Sequence, residues 1–317
     1  METLQYILRK LVTGLPQLFG VTLVSFVLMV YFGPDLTWEL VGKNPTAEEI
    51  EQVRRELGYD QHFVIRYLDF LREIATLDFG HSFSTGERVT DLLGRTVPVS
   101  LALILPGFVI GNLLGILFAL VAAFYRSSWI DRTIMAGSAV GMSISFLVVI
   151  IMAQLLLSSS YGFNWFPVRG WSVHSLGDYL FYVTVPTLVM VFVSLGYNTR
   201  FYRAVFVEEL SRDHIRTARA YGISPARILL QDVLKNSLIP IITRIMFSIP
   251  LLVVSGSLLI ESYFGIPGIG RASYDAILSG DQPVLKAVVS LTAVLFVLVL
   301  IANDILYKWV DPRVVLK

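Results

Sequence analysis

Six runs of almost unbroken apolar residues recur along the chain, at approximately 11–32, 99–124, 133–157, 180–199, 238–262 and 286–309. Each is long enough to cross the hydrocarbon core of a bilayer, which takes about 20 helical residues. A backbone in lipid must satisfy its own hydrogen bonds, so the pattern predicts six membrane-spanning helices in an all-α, polytopic membrane protein with one transmembrane domain over 1–317. Gly14, Pro16, Pro106, Gly111, Gly115, Pro186 and Pro250 fall inside these runs, where membrane helices tolerate them and bundle interfaces use them. The first run is longer than a leader's apolar core and has no small-x-small cleavage site. It reads as a retained span.

The polar intervals assign sides. With the N-terminus inside, Arg9, Lys10, Arg126, Arg132, the seven basic residues from Arg200 to Lys235, and Lys308, Arg313 and Lys317 all fall in cytoplasmic segments. The two shorter outer loops hold only Arg169, Arg271 and Lys286. This asymmetry predicts cytoplasmic termini. The interval 33–98 is long enough to escape the rule and carries many acidic residues. In it, Thr46 and Glu49 form a capping box, Gly58 is a candidate C-cap, and Phe63, Tyr67, Phe70, Leu71 and Ile74 make one apolar face with Arg66, Asp69, Arg72 and Glu73 opposite. Two short helices are expected there.

Composition agrees with the pattern: 55% of the 317 residues are hydrophobic and 15% are charged. The net charge of +1 gives no pull toward nucleic acid, and none is expected as a partner. The absence of cysteine removes disulfides, thiolate metal sites and cysteine nucleophiles.

One segment breaks the apolar rhythm of the C-terminal half. In "IRTARAYGISPARILLQDVLKN", from Ile215 to Asn236, Gly222 can end a helix in the left-handed conformation, Ser224 can cap the next, and Pro225 suits its first position. The small residues Ala218, Ala220 and Gly222 keep the turn slim. The expected unit is a basic helix–turn–helix hairpin within 200–237.

The stretch "RTARAYGIS...NSLIP" resembles the cytoplasmic motif of ABC-importer permease subunits of the dipeptide/oligopeptide family. The likeness extends through "ELGYDQ...RYLDFL...LDFGHSF", "NWFPVRGW", "ESYFGIPGIGR" and "DILYKWVDPRV". The family motif runs Glu-Ala-Ala, three residues, Gly, nine residues, then Ile-x-Leu-Pro. Here Arg216, Thr217 and Ala218 stand at its first three positions, and Asp232, Leu234 and Lys235 fall in its second half, with Asp232 and Lys235 departing from it. The resemblance implies the type I importer permease fold and an ATPase-coupling role for Arg216, Ala218, Ala220, Gly222, Ser224, Pro225 and Arg227. It also implies an outer vestibule near Phe264, Gly265, Pro267, Gly268 and Gly270. The implied partners are a second, non-identical permease subunit, two ABC ATPase subunits that bind ATP and Mg, and an extracytoplasmic substrate-binding protein. The implied setting is the bacterial inner membrane, and the implied cargo is di- or oligopeptides. Nickel chelates, glutathione and oligosaccharides stay open as alternatives.

Other chemistries find little footing. No Gly-x4-Gly-Lys-Ser/Thr loop exists, so ATP hydrolysis belongs to a partner. His62, His81, His174 and His214 all lie in loops, and Gly141-Met-Ser143 has no nearby base, which disfavours an intramembrane hydrolase. An ion-coupled transporter or channel would use intramembrane charge, and Arg244, Glu261 and Asp304 lie toward span ends, where snorkelling or pairing between helices explains them. Trp165, Phe166 and Trp171 suit an interfacial aromatic belt.

Overall fold

The computed structural model describes residues 16, 19–28, 37, 41, 45–56, 59–253 and 257–310. Thirteen helical elements are named here: α1 (Phe19–Leu28), α2 (Ala47–Glu56), α3 (Phe63–Thr76), α4 (Val89–Phe124), α5 (Trp129–Ser143), α6 (Phe146–Ser158), α7 (Leu176–Glu209), α8 (Asp213–Ala220), α9 (Pro225–Asn236), α10 (Leu238–Leu251), α11 (Ser257–Phe264), α12 (Ile269–Ser279) and α13 (Gln282–Val310). The chain divides into two compact units, Met1–Val97 with Ala272–Ile301, and Pro98–Arg271 with Ala302–Lys317.

In the first unit α1 and α3 pack through aromatic rings. Phe26 is buried, with ring centroids 5.4 Å from Phe63, Tyr67 and Phe70, and the Tyr67 hydroxyl donates to the Phe19 carbonyl at 3.1 Å. The capping box of α2 forms, with Thr46 N–H to Glu49 at 2.8 Å and Glu49 N–H to Thr46 Oγ1 at 3.3 Å. Gly58 lies outside the described residues. Glu73 departs from the expected solvent face, because Lys286 pairs with it while lying over the Phe70 ring. Asp281 is 1% exposed and accepts from the Ser82 hydroxyl at 2.5 Å and from the Ser84 hydroxyl and N–H at 2.8 and 3.1 Å. Burial raises its pKa, but these hydrogen bonds to the ionised form outweigh it and hold the carboxyl below 3.8.

The second unit is organised by α4 and α7. Gly107, Gly111 and Gly115 recur every fourth residue on α4 and face Met190, Ser194 and Asn198, which have the same spacing on α7. A Cβ at Gly115 would lie 2.7 Å from the Cβ of Asn198, so the close approach requires the glycine. Between the same helices the Asn112 Oδ1 accepts from Tyr202 at 2.6 Å and from Asn198 at 3.3 Å. α5 joins α7 through a two-pronged contact of Arg203 with Asp131 at 2.6 and 2.5 Å.

Among the described residues three helices, α4, α7 and α13, are each long and apolar enough to cross a membrane, and two bent pairs raise the number to five. The six expected spans correspond only in part. The first is represented among the described residues by α1, with Arg9, Lys10 and Gly14 outside them. The run 133–157 is not one straight helix: α5 and α6 meet at 94°, because Ile144 and Ser145 both take extended backbone and break the hydrogen-bond ladder. The run 238–262 is carried by α10 and α11 on either side of residues outside the description. α4 begins ten residues before the expected 99 and runs through Pro98, shortening the loop 33–98, and α7 extends to 176–209.

The hairpin and the glycine-proline turn as candidate functional sites

The basic segment folds as a hairpin with an apolar base and an exposed tip. α8 starts at Asp213 and ends in a left-handed turn: Gly222 has φ +76°, its N–H donates to the Arg219 carbonyl at 3.0 Å, and the Ile223 N–H donates to the Ala218 carbonyl at 3.2 Å. This pair of reverse bonds satisfies carbonyls that the helix end would leave open. Ser224 takes the extended backbone of an N-cap, and Pro225 stands at the first helical position. The Ser224 side chain makes no cap bond, so the expected hydroxyl cap is absent and the backbone alone turns the chain.

Ile215, Ile228, Leu229 and Val233 are buried with Tyr202 and Phe206 of α7 and Ala119 and Ala123 of α4, while Ala218 and Ile223 pack against that cluster. Arg216, Ala220, Gly222, Ser224, Pro225 and Arg227 are exposed. The structure therefore brings the seven expected residues onto one hairpin, six at the surface and Ala218 half-buried. Two further contacts close the base. Buried Glu209 pairs with Arg212 at 2.9 Å, and Asn236 Nδ2 lies 3.2 Å from His214 Nε2, joining the two ends of the hairpin. Arg216 lies 3.3 Å from Asp213, and Arg227 donates to Gln231 at 2.8 Å, so both guanidinium groups are held along their own helices.

Two features of the hairpin went unpredicted. Tyr221 is 82% exposed at the tip, a large aromatic in the open beside the turn glycine. Its signal in the sequence was an aromatic directly before a helix-ending Gly. The second is a π-helical stretch, Ile228–Val233, between Arg227 and Leu234. It lies across Asp232 and next to Lys235, where the family motif is interrupted.

The turn Phe264–Arg271 is built differently. Glu261 is fully buried and accepts from the Ser100 hydroxyl at 2.5 Å and from the Arg271 N–H at 3.0 Å, and the Ile269 N–H donates to Ser100 at 2.8 Å. A Cβ at Gly268 would overlap the Glu261 carboxylate and the Ser100 hydroxyl. Gly265 has φ +67°. The last carbonyls of α11 are capped from another loop: Arg169 donates to Ser262 and Tyr263 at 3.1 Å, and Gly170 N–H to Phe264 at 2.8 Å. Two of the quoted motifs, "NWFPVRGW" and "ESYFGIPGIGR", thus meet. Phe264, Gly268 and Gly270 are buried, Gly265 is half-buried, and Pro267 is exposed. Glu261 does not snorkel. Arg244 lies over the Phe201 ring at 5.6 Å. Trp165 is exposed and stacks on Phe163, whereas Phe166 and Trp171 pack against the core.

Long apolar helices joined by an anchored polar hairpin fit a helical membrane protein. Residues 97–316 match the family described as "Binding-protein-dependent transport system inner membrane component", and residues 3–104 match its N-terminal counterpart. The chain belongs to this family and is a permease component. It is 32% identical, over 97% of its length and 98% of the relative's, to a provisionally named peptide transport system permease protein of Brucella abortus. It is 32% identical, over 98% of its length and 99% of the relative's, to the dipeptide transport system permease protein DppB of Lactococcus lactis. The inward-facing MetNI methionine ABC transporter shares the fold, with a TM-score of 0.55 and 18% identity over 70% of this chain and 97% of that one.

Proposed function

We propose that this chain is the membrane-spanning permease subunit of an ATP-driven importer of di- and oligopeptides in a bacterial inner membrane, with both termini and the hairpin cytoplasmic. A second, non-identical permease subunit completes the pathway. Two ATPase subunits, which bind ATP and Mg, receive the hairpins, and an extracytoplasmic binding protein delivers substrate to the face that includes Phe264–Gly270. The peptide assignment draws on the names of the relatives, and the partners on the nature of the family.

The observation that carries the coupling role is the hairpin's division into a buried base and an exposed, slim tip. A push on Ala218–Arg227 is passed through Ile215, Ile228 and Leu229 to α4 and α7, which are stiff and closely packed, and rigid elements transmit such displacements with little loss. Tyr221 offers a partner a large contact surface at small entropic cost.

The test is reconstitution. Uptake of a labelled dipeptide into proteoliposomes should require the permease pair, the ATPase subunits, the binding protein and ATP. Uptake by the permease pair alone, driven by a proton or sodium gradient, would overturn the proposal in favour of an ion-coupled transporter. Orientation is checked in intact cells, since the natural chain has no cysteine background. Ser224→Cys should resist a membrane-impermeant thiol reagent and Thr46→Cys should react; the reverse pattern refutes the topology.

A further inference from the structure

Beside the hairpin the second unit holds a cavity of about 230 Å³ lined by Phe124, Arg126, Leu210, Arg219, Pro225 and Leu229, among others. Arg126 and Arg219 are both exposed. Neither guanidinium makes an ion pair or a hydrogen bond with another described residue, although the charge of Asp131 reaches Arg126. The nearby acids are already engaged: Asp131 by both prongs of Arg203 and by the Ser127 N–H at 3.0 Å, and Glu209 by Arg212. No acid lines the cavity, so the two guanidinium groups share it and an anion placed there would meet both.

The surroundings indicate where that anion comes from. The cavity lies at the end of α4, a helix long enough to span a membrane, and the chain leaving it exposes Phe124 by 43%, Tyr125 by 46% and Trp129 by 74%. Aromatics of this kind gather at the level of lipid headgroups. Phe124, Leu210 and Leu229 also line the cavity, and a mixed lining of this kind suits an amphiphile.

We propose that this cavity is a binding site for a phosphate-bearing anion, held by Arg126 and Arg219 together, and that its occupant is the headgroup of an anionic phospholipid. The occupant would touch both the end of α4 and the two helices of the hairpin, so it would tie the hairpin to the membrane surface. The site does not depend on the ATPase-coupling assignment, because it is formed by this chain alone.

The full chain with its partner permease subunit is placed in nanodiscs of phosphatidylcholine with or without phosphatidylglycerol, and thermal unfolding and lipids retained in native mass spectrometry are measured. The wild type should gain stability and retain phosphatidylglycerol. Arg126→Gln with Arg219→Gln should cut the retention by about threefold or more, given the strength of basic contacts to anionic lipid. Arg126→Lys with Arg219→Lys should restore most of it, and Arg132→Gln should leave it unchanged. If the glutamine pair fails to accumulate, exposed Arg219→Gln alone should still lower retention by a smaller factor. Stabilisation of the wild type by inorganic phosphate in phosphatidylcholine discs, lost in the glutamine pair, would keep the phosphate site but make its source soluble. Equal phosphatidylglycerol retention by the wild type and the glutamine variants overturns the site. So does a loss of co-purified ATPase from the glutamine pair that is the same with and without anionic lipid, since the arginines would then serve a protein partner.

Discussion

Two glycine-proline turns of the second unit use the same residues for opposite purposes. At the hairpin, Gly222 supplies a left-handed φ, and a Cβ there would meet nothing within 4 Å. At Phe264–Arg271, Gly268 supplies space, because a buried carboxylate and a serine hydroxyl occupy the place a side chain would take. The first turn leaves its surface open and fixes only its base. The second turns inward and engages its polar groups from three segments of the chain. A turn made to be met from outside and a turn made to hold a fold together can therefore be told apart by asking what a glycine is there to avoid.

The largest expected effect would break the comparison at its inner member. Gly268→Val forces a branched side chain onto Glu261 and Ser100, which combines overpacking with loss of a buried polar network and should cost about 3 kcal/mol or more. Membrane accumulation and the melting temperature of the purified chain should both fall. Wild-type values would show that the turn is looser than its hydrogen bonds indicate.

Gly222→Val should behave in the contrary way. It adds roughly 1–2 kcal/mol of backbone strain at a turn outside the apolar cluster, so the chain should still insert and accumulate. ATPase co-purification, or hydrolysis stimulated by the loaded binding protein, should be lost. Wild-type assembly and stimulation on the same preparations would remove the coupling role and leave the basic loop as a topology signal.

A third position sharpens the comparison by asking whether serine-fed carboxylates are general locks in this chain. Asp281 has its pKa held below the ordinary 3.8 in the folded state, so its stabilisation is complete above that value and fades as pH falls through the lower native value. Asp281→Asn should cost about 1 kcal/mol at neutral pH, and the difference from wild type should shrink in acid. A gap in melting temperature that does not change down to the acid limit would contradict this.

The smallest effect is expected at Arg227. Charge reversal with Arg227→Glu loses one exposed bond to Gln231 and should change stability by no more than about 0.5 kcal/mol. Stimulated hydrolysis should drop less than in Gly222→Val, and more steeply at low ionic strength, where screening is weak.

The hairpin was legible because its grammar is local. Gly222, Ser224 and Pro225 announce a turn within four residues, and the turn forms with only the Ser224 hydroxyl failing its expected part. The lock at Glu261 was not legible, because Ser100 lies 161 residues away and Arg169 93 residues from the carbonyl it caps. Apolar runs revealed where helices lie but not where they bend. The break at Ile144–Ser145 is marked only by Ser143 and Ser145 within a run long enough for one span, so the length of the run concealed it although Ser145 stands where the next helix is capped. α12 was missed for a related reason: a glycine-rich start reads as loop until Glu261 and Ser100 gather its first N–H groups.

The π-helical stretch Ile228–Val233 limits how this chain can be edited. A π turn contains one residue more than the α turn it replaces, so the stretch acts as a stored insertion. Deleting one residue within it would close the stretch to α-helix and leave the segments before and after facing nearly as they do, whereas the same deletion in a plain α-helical stretch would rotate one side by about 100° against the other. A deletion in the α-helical parts of the hairpin has no such reserve and would swing the tip off its base of Ile228, Leu229 and Val233. For the same reason, a motif counted through 228–233 as though it were plain α-helix puts Asp232 and Lys235 on the wrong faces.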